Sequence, residues 1–310
     1  MDRVEYDEFG LFHENAEEFG LPFDGPPRVR RAWVEVGDGR RLSALVWKEG
    51  EPELVLLHGG AQNAHTWDTV AMALDRPLVA IDLPGHGHSD GPGPHPEGDL
   101  SVDGNAADVA VAIGQLAPAA RAVVGMSLGG LTTIALTKQA PELVRKVILV
   151  DVLPGIKGAR AKHIVDFVNG PRSFGSLEEL LELTASFNPT RSLSSLRRGI
   201  LHNAEQQDDG TWVWRWARHR PPAPEGGSGG AGMGDTAYEG LWESLSSITV
   251  PLLLARGMRS DSVLGDEDEE ELRRRLPSAR VVHVEDAGHS LQGDKPLELT
   301  AIIEDFVFGS

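Results

Sequence analysis

A serine set among glycines, Gly125-Met126-Ser127-Leu128-Gly129, follows the apolar run Arg121-Ala122-Val123-Val124 and precedes Gly130-Leu131-Thr132-Thr133-Ile134-Ala135-Leu136. The first flank reads as a buried strand and the second as a helix. A serine at so sharp a strand-to-helix turn has its hydroxyl held above the sheet. The glycines are required because the turn is strained and the backbone crowded on both sides. The helix start offers unpaired N–H groups and a partial positive charge to an oxyanion. Such a serine can attack a carbonyl if a base takes its proton and a third group orients that base. The same pattern recurs at Gly226-Gly227-Ser228-Gly229-Gly230, but between Pro221-Pro222-Ala223-Pro224 and further glycines. With no strand entering and no helix leaving, Ser228 is a decoy in a low-complexity loop over 221–234 that is expected to be mobile.

The base candidate is His289, in Ala287-Gly288-His289-Ser290-Leu291, directly after the last expected strand; His283 lies inside that strand. The acid candidate is Asp261, in Arg256-Gly257-Met258-Arg259-Ser260-Asp261, after the penultimate strand. A carboxylate there would accept from the His289 ring and stabilise the imidazolium formed during attack. Asp151, at the end of the preceding strand, is the rival, with Glu285 and Asp286 behind it. Two N–H donors must face the developing charge. Leu128 supplies one, and the loop His58-Gly59-Gly60-Ala61 the other, through Gly60 or alternatively Ala61. His58 itself reads as a turn-organising residue.

These residues need a scaffold. Val29–Val36 and Arg41–Lys48 read as a hairpin across Gly37-Asp38-Gly39-Arg40. Continuous apolar runs at Glu53–His58, Pro77–Asp82, Lys146–Asp151, Pro251–Arg256 and Arg280–Glu285 read, with the run before Ser127, as buried parallel strands. Helices are expected at Thr66–Leu74, Val102–Leu116, after Ser127, Glu267–Leu276 and Pro296–Phe308. Eight strands alternating with helices predict an α/β fold, a mostly parallel sheet covered on both faces. The boundaries expected are an N-terminal extension over 1–27, a core of 28–152 and 249–310, and an inserted, mainly helical cap over 153–248. That insertion contains helical patterns at Ala161–Val168 and Leu177–Phe187. Trp212, Trp214 and Trp216 alternate, so on one strand they would share a face, either as an aromatic wall for a substrate or as an anchor for the cap. His202 and His219, in the same region, read as structural or exposed. Residues 1–27 could form an extra helix, an edge cover or a cover for a neighbouring subunit.

Taken together, His58-Gly59-Gly60, Asp82-Leu83-Pro84-Gly85-His86-Gly87-His88-Ser89, Gly125-Met126-Ser127-Leu128-Gly129-Gly130 and Gly288-His289 resemble the α/β-hydrolase superfamily in its capped, serine-nucleophile branch. The likeness runs from Val29 to Phe308. It implies the chain order serine, acid, histidine and an architectural role for the turn from Asp82 to Ser89, so His86 and His88 are not catalytic candidates. Serine at the nucleophile speaks against haloalkane dehalogenases and most epoxide hydrolases of this fold, which carry aspartate there. Gly59-Gly60-Ala61-Gln62-Asn63 and Ser290 depart from the oxyanion loop and the tryptophan that carbon–carbon hydrolases often show.

The formal charge of −18 disfavours nucleic acid and anionic membranes as partners, and no apolar run is long enough for a membrane span. Cysteine is absent, which removes disulfides and thiolate zinc sites. With an N-terminus lacking the regions of a signal peptide, this suits a reducing cytoplasm. The expectation is a cofactor-free, metal-free serine hydrolase acting on esters or lactones of a small, hydrophobic molecule through an acyl-enzyme. A lyase, cyclase, carbon–carbon hydrolase or perhydrolase with the same triad is the alternative, and a non-catalytic ligand receptor on this scaffold is the alternative from another class. The substrate and the oligomeric state, a homo-oligomer included, are open.

Overall fold

The computed structural model describes residues 3–92, 101–155, 158–219, 238 and 240–309. Helix α1 (Phe12–Phe19) precedes the hairpin of β1 (Val29–Gly37) and β2 (Arg40–Trp47). The alternating part of the chain follows as β3 (Leu54–Leu57), α2 (Asp68–Leu74), β4 (Leu78–Ile81), α3 (Val102–Leu116), β5 (Ala122–Met126), α4 (Leu128–Gln139) and β6 (Val147–Val150). A second group interrupts it: α5 (Gly158–Val168), β7 (Ser173–Phe174), α6 (Leu177–Phe187), α7 (Leu193–Asn203), β8 (Ala204–Gln206), β9 (Trp212–Trp214) and α8 (Leu241–Ser246). The chain then resumes with β10 (Leu252–Gly257), α9 (Asp266–Arg275), β11 (Arg280–Val284), α10 (Leu291–Asp294) and α11 (Pro296–Phe308).

Eight strands form one sheet in the order β1-β2-β4-β3-β5-β6-β10-β11. Only β2 runs antiparallel to its neighbours; from β4 to β11 every pairing is parallel. Residues β3 to β6 and β10 are buried throughout. Their side chains alternate between two cores, as a period of two requires. Val55, Leu57, Val123 and Leu149 join α3 and α4 on one face. Leu54, Leu56, Val124 and Ile148 join α2 and α11 on the other. Each such side chain contributes about 1.5–3 kcal/mol through burial. This is the α/β-hydrolase arrangement expected from the sequence, with strand ends displaced by a residue or two.

The inserted elements carry their own three-stranded sheet, β7-β9-β8, and a separate core of Phe174, Leu180, Ile200, Trp212, Trp214 and Trp216. Helix α7 was not expected from its sequence. Its serines and interior Gly199 are poor helix formers, but Ser192 caps it by accepting from the Ser195 N–H at 3.0 Å. Its apolar face then packs into that core. The tryptophan run does not lie on one strand: β9 ends at Trp214, and Trp216 sits in a following 3₁₀ turn. Ser228 and the loop over 221–234 lie outside the described residues.

The N-terminal extension forms α1 and binds both groups of elements. Phe12 packs edge-on against Trp47, with centroids 5.2 Å apart. Asn15 donates to Thr69 Oγ1 at 2.9 Å, and Glu14 and Glu18 hold Arg198 of α7. The Val4 N–H reaches Gln206 Oε1 at 2.8 Å. Of the three roles open for residues 1–27, the described part is an extra helix that straps the insertion to the main sheet. No helix among the described residues is long and apolar enough to cross a membrane.

Candidate active site

Ser127 stands between β5 and α4 with φ 50° and ψ −117°, a left-handed backbone that a residue other than glycine holds only under strain. The flanking glycines are set by space. A Cβ on Gly125 would lie 2.4 Å from Gly129 O, and one on Gly129 would lie 2.3 Å from Leu57 O and 2.7 Å from His58 O. Those obstacles are backbone and cannot swing aside. Gly129→Ala is therefore expected to destabilise the protein by about 3 kcal/mol, read as a lower urea midpoint.

Gly60 and Leu128 border the same cavity as Ser127, which has a volume of about 1160 Å³. Ala61, the alternative donor, is engaged elsewhere: its N–H donates to His86 Nε2 at 3.1 Å, while its carbonyl accepts from Asn203 Nδ2 at 2.6 Å. His58 is fully buried, and burial holds its pKa down. Its Nδ1 hydrogen points to Gly59 O at 2.7 Å, and its Nε2 accepts from the Leu83 N–H at 2.9 Å. It organises the turn. The Asp82–Ser89 turn is likewise architectural: Asp82 accepts from the N–H groups of Ala64 and His88 and from Arg31. Gln292 and Asn203, which steady the loop after β3 through Gln62 and Ala61, carry no motif that sequence reasoning could have used.

His289 also lines the cavity, and its Nδ1 meets Asp151 Oδ2 at 3.0 Å. Here the structure departs from the sequence-based choice of Asp261. Asp151 is fully buried and accepts three further hydrogen bonds, from the N–H groups of Gly257 at 3.0 Å and Val263 at 3.2 Å and from the Ser262 hydroxyl at 2.7 Å. Asp261 borders the same cavity, but its carboxylate is taken by Arg259 rather than by the ring. Its side chain is 44% exposed and forked by Arg259 at 2.9 and 2.6 Å, which lowers its pKa. The loop after β10 does serve the histidine's partner, but through the donors Ser262 and Val263. Glu285 and Asp286 are exposed and make no contact with the ring. Geometry thus joins Asp151 to His289, with Ser127 on the same cavity.

Trp214 and Trp216 border the cavity, stacked 6.2 Å apart, and Trp212 does not. All three are buried in the insertion's core. His219 also borders the cavity.

A second polar cluster lies beneath the strap. His65 contacts Asp68 at 2.9 Å and Glu8 at 3.1 Å, and its ring stacks on His202 at 3.8 Å and 7°. Tyr6 Oη lies 2.7 Å from His202 Nδ1. The donors of His65, Asp68 and His202 are close enough to suggest a cation site, but parallel stacked rings aim their lone pairs along separate planes and do not converge on one ion. Burial opposes the imidazolium of His65, yet two carboxylates outweigh it and hold the pKa at about 9. Burial likewise opposes ionised Glu8, which His65 and Arg31 hold at about 2. The His65 contribution to stability is complete below its unfolded value of 6.5 and is lost as pH rises through about 9. Relative to a variant without this imidazole, the wild type should lose on the order of 2 kcal/mol of stability between pH 6.5 and 9, measured by urea unfolding. A His65→Asn variant should lack that slope.

Comparison with known proteins agrees with this architecture. The family model described as "Alpha/beta hydrolase family" matches residues 54–302. Esterase Rv0045c of Mycobacterium tuberculosis is 43% identical over 96% of this chain and 94% of its own length. A solved structure of that esterase, reported with its inhibition by transition metals, superposes with a TM-score of 0.81 at 39% identity, covering 98% of this chain and 100% of the other. A pimeloyl-[acyl-carrier protein] methyl ester esterase of Aeromonas hydrophila is 30% identical over 86% of this chain and all of its own. Strand order, the strained serine turn and a match spanning most of the sequence place the chain in the alpha/beta hydrolase family.

Proposed function

We propose that this protein is a serine esterase that hydrolyses small carboxylic esters, lactones included, through an acyl-enzyme. The observation that carries the reading is the His289–Asp151 contact on the cavity that Ser127, Gly60 and Leu128 also border. Both relatives named above are esterases, which supports the same reaction here.

In this mechanism Ser127 Oγ attacks the ester carbonyl while His289 Nε2 takes its proton. Asp151 holds the Nδ1 hydrogen, fixing the tautomer and stabilising the imidazolium. The Gly60 and Leu128 amides, aided by the start of α4, carry the charge on the carbonyl oxygen. The imidazolium then protonates the departing alcohol. Water, deprotonated by His289, attacks the acyl-enzyme and frees the acid and Ser127. The hydroxyl and the ring are not hydrogen-bonded to each other in this structure; such contacts often tighten only around bound substrate. The described part of the insertion serves as a lid, with Trp214 and Trp216 lending an apolar wall and Asn203 tying α7 to the oxyanion loop.

Turnover of p-nitrophenyl esters with a pre-steady-state burst tests the proposal. A burst of about one nitrophenolate per chain supports the acyl-enzyme. Absence of ester turnover across acyl lengths would refute the reading.

A further inference from the structure

The arginines at the α7–α10 end of the cavity are not alike. Arg198 is held by Glu14 and Glu18, and Arg259 by Asp261 and Asp294. Arg191 borders the same cavity without a carboxylate in salt-bridge range among the described residues. Its side chain meets the Ser195 hydroxyl, and its own N–H donates to Asn188 O at 3.1 Å. Arg191 is partly buried, and that burial lowers its pKa, with Asp294 and Glu18 pulling without contact and Arg198 and Arg259 repelling it. A guanidinium withdrawn from water without an anion to replace that water is costly to keep.

Gly293 makes room for it. A Cβ there would lie 2.0 Å from Arg191 Nη1, so any larger residue would displace the guanidinium. Gly293 belongs to α10, the turn that directly follows His289. A group held by Arg191 would therefore sit on the histidine's side of the cavity.

We propose that Arg191 is a specificity-determining residue that receives a carboxylate carried by the substrate away from its scissile ester. This rests on the esterase reading and names its substrate class: half-esters of dicarboxylic acids, cleaved with water to the diacid and an alcohol. The planar fork of arginine matches a carboxylate with two parallel hydrogen bonds. A dianionic phosphate fits worse, because the carboxylate of Asp294 already acts on the same guanidinium.

The matched pair monomethyl adipate and dimethyl adipate tests this at pH 7.5 and constant ionic strength. The wild type should favour the half-ester in kcat/KM by about tenfold or more, as a charged hydrogen bond allows. Arg191→Gln should bring that ratio near one, chiefly through KM, and Arg191→Lys should keep part of it. Gly293→Ala, which crowds the guanidinium, should lower the ratio without removing the arginine and covers the case in which Arg191→Gln fails to fold. Calorimetry of monomethyl adipate on Ser127→Ala, with and without Arg191→Gln, reads the subsite apart from turnover; binding should weaken about tenfold. An unchanged ratio in folded Arg191→Gln, or equal binding by the two calorimetry variants, overturns the subsite even if esters are hydrolysed. Arginine-dependent binding by a wild type that turns over neither ester sustains the subsite and overturns the esterase reading instead.

Discussion

Asp151→Asn is expected to lower kcat toward a p-nitrophenyl ester by about four orders of magnitude, while Asp261→Asn stays within about threefold of wild type. Both changes remove one negative charge and keep the side-chain shape; they differ in which hydrogen bonds depend on it. Asp151 accepts from four donors, His289 among them. An amide in its place must turn its NH₂ toward one pair of them. If that pair includes His289, the ring's proton moves to Nε2 and the ring can no longer accept from Ser127. If the NH₂ faces Gly257 and Ser262 instead, the hydroxyl can turn to accept but the buried Gly257 N–H meets a donor, at a cost of about 1–3 kcal/mol. Asp261 has only Arg259 to lose, on a half-exposed loop. Equal losses in the two variants would return the acid's role to the loop after β10.

Ser127→Ala carries the largest effect, a fall in kcat of about 10⁶-fold, the scale seen when a serine hydrolase loses its nucleophile. The fold should persist, because alanine removes one oxygen and leaves the turn, the glycines and the cores as they are. Far-UV circular dichroism and the urea midpoint check that condition alongside the rate.

The sequence reading succeeded where one strong local signal decided the matter. The Leu54–Leu57 and Val147–Val150 runs are buried on both faces, so their apolar character is continuous and their strand identity legible. Ser127 was legible because a strand enters and a helix leaves its glycine turn, which separated it from Ser228. That the Ala61 N–H is engaged was not legible, because the Ala61–His86 hydrogen bond joins residues 25 apart. The partner of His289 was harder still. Asp151 and Asp261 both follow a strand at the sheet's carboxyl edge, and both loops approach His289. What separates them is the direction of a side chain, set by Arg259 on one and by Gly257, Ser262 and Val263 on the other. No periodicity carries that information. Helix α7 was invisible for a related reason, since its stability comes from the insertion's core and from α1. The strap itself depends on ion pairs spanning about half the chain, such as Glu18 with Arg198.

Fluorophosphonate labelling followed by peptide mapping tests the central claim most directly. One label per chain is predicted, on the peptide containing Ser127 and not on that containing Ser228, with ester turnover falling in proportion to the label incorporated. Full labelling with turnover undiminished, or a label on any other residue that accounts for the lost activity, would contradict it.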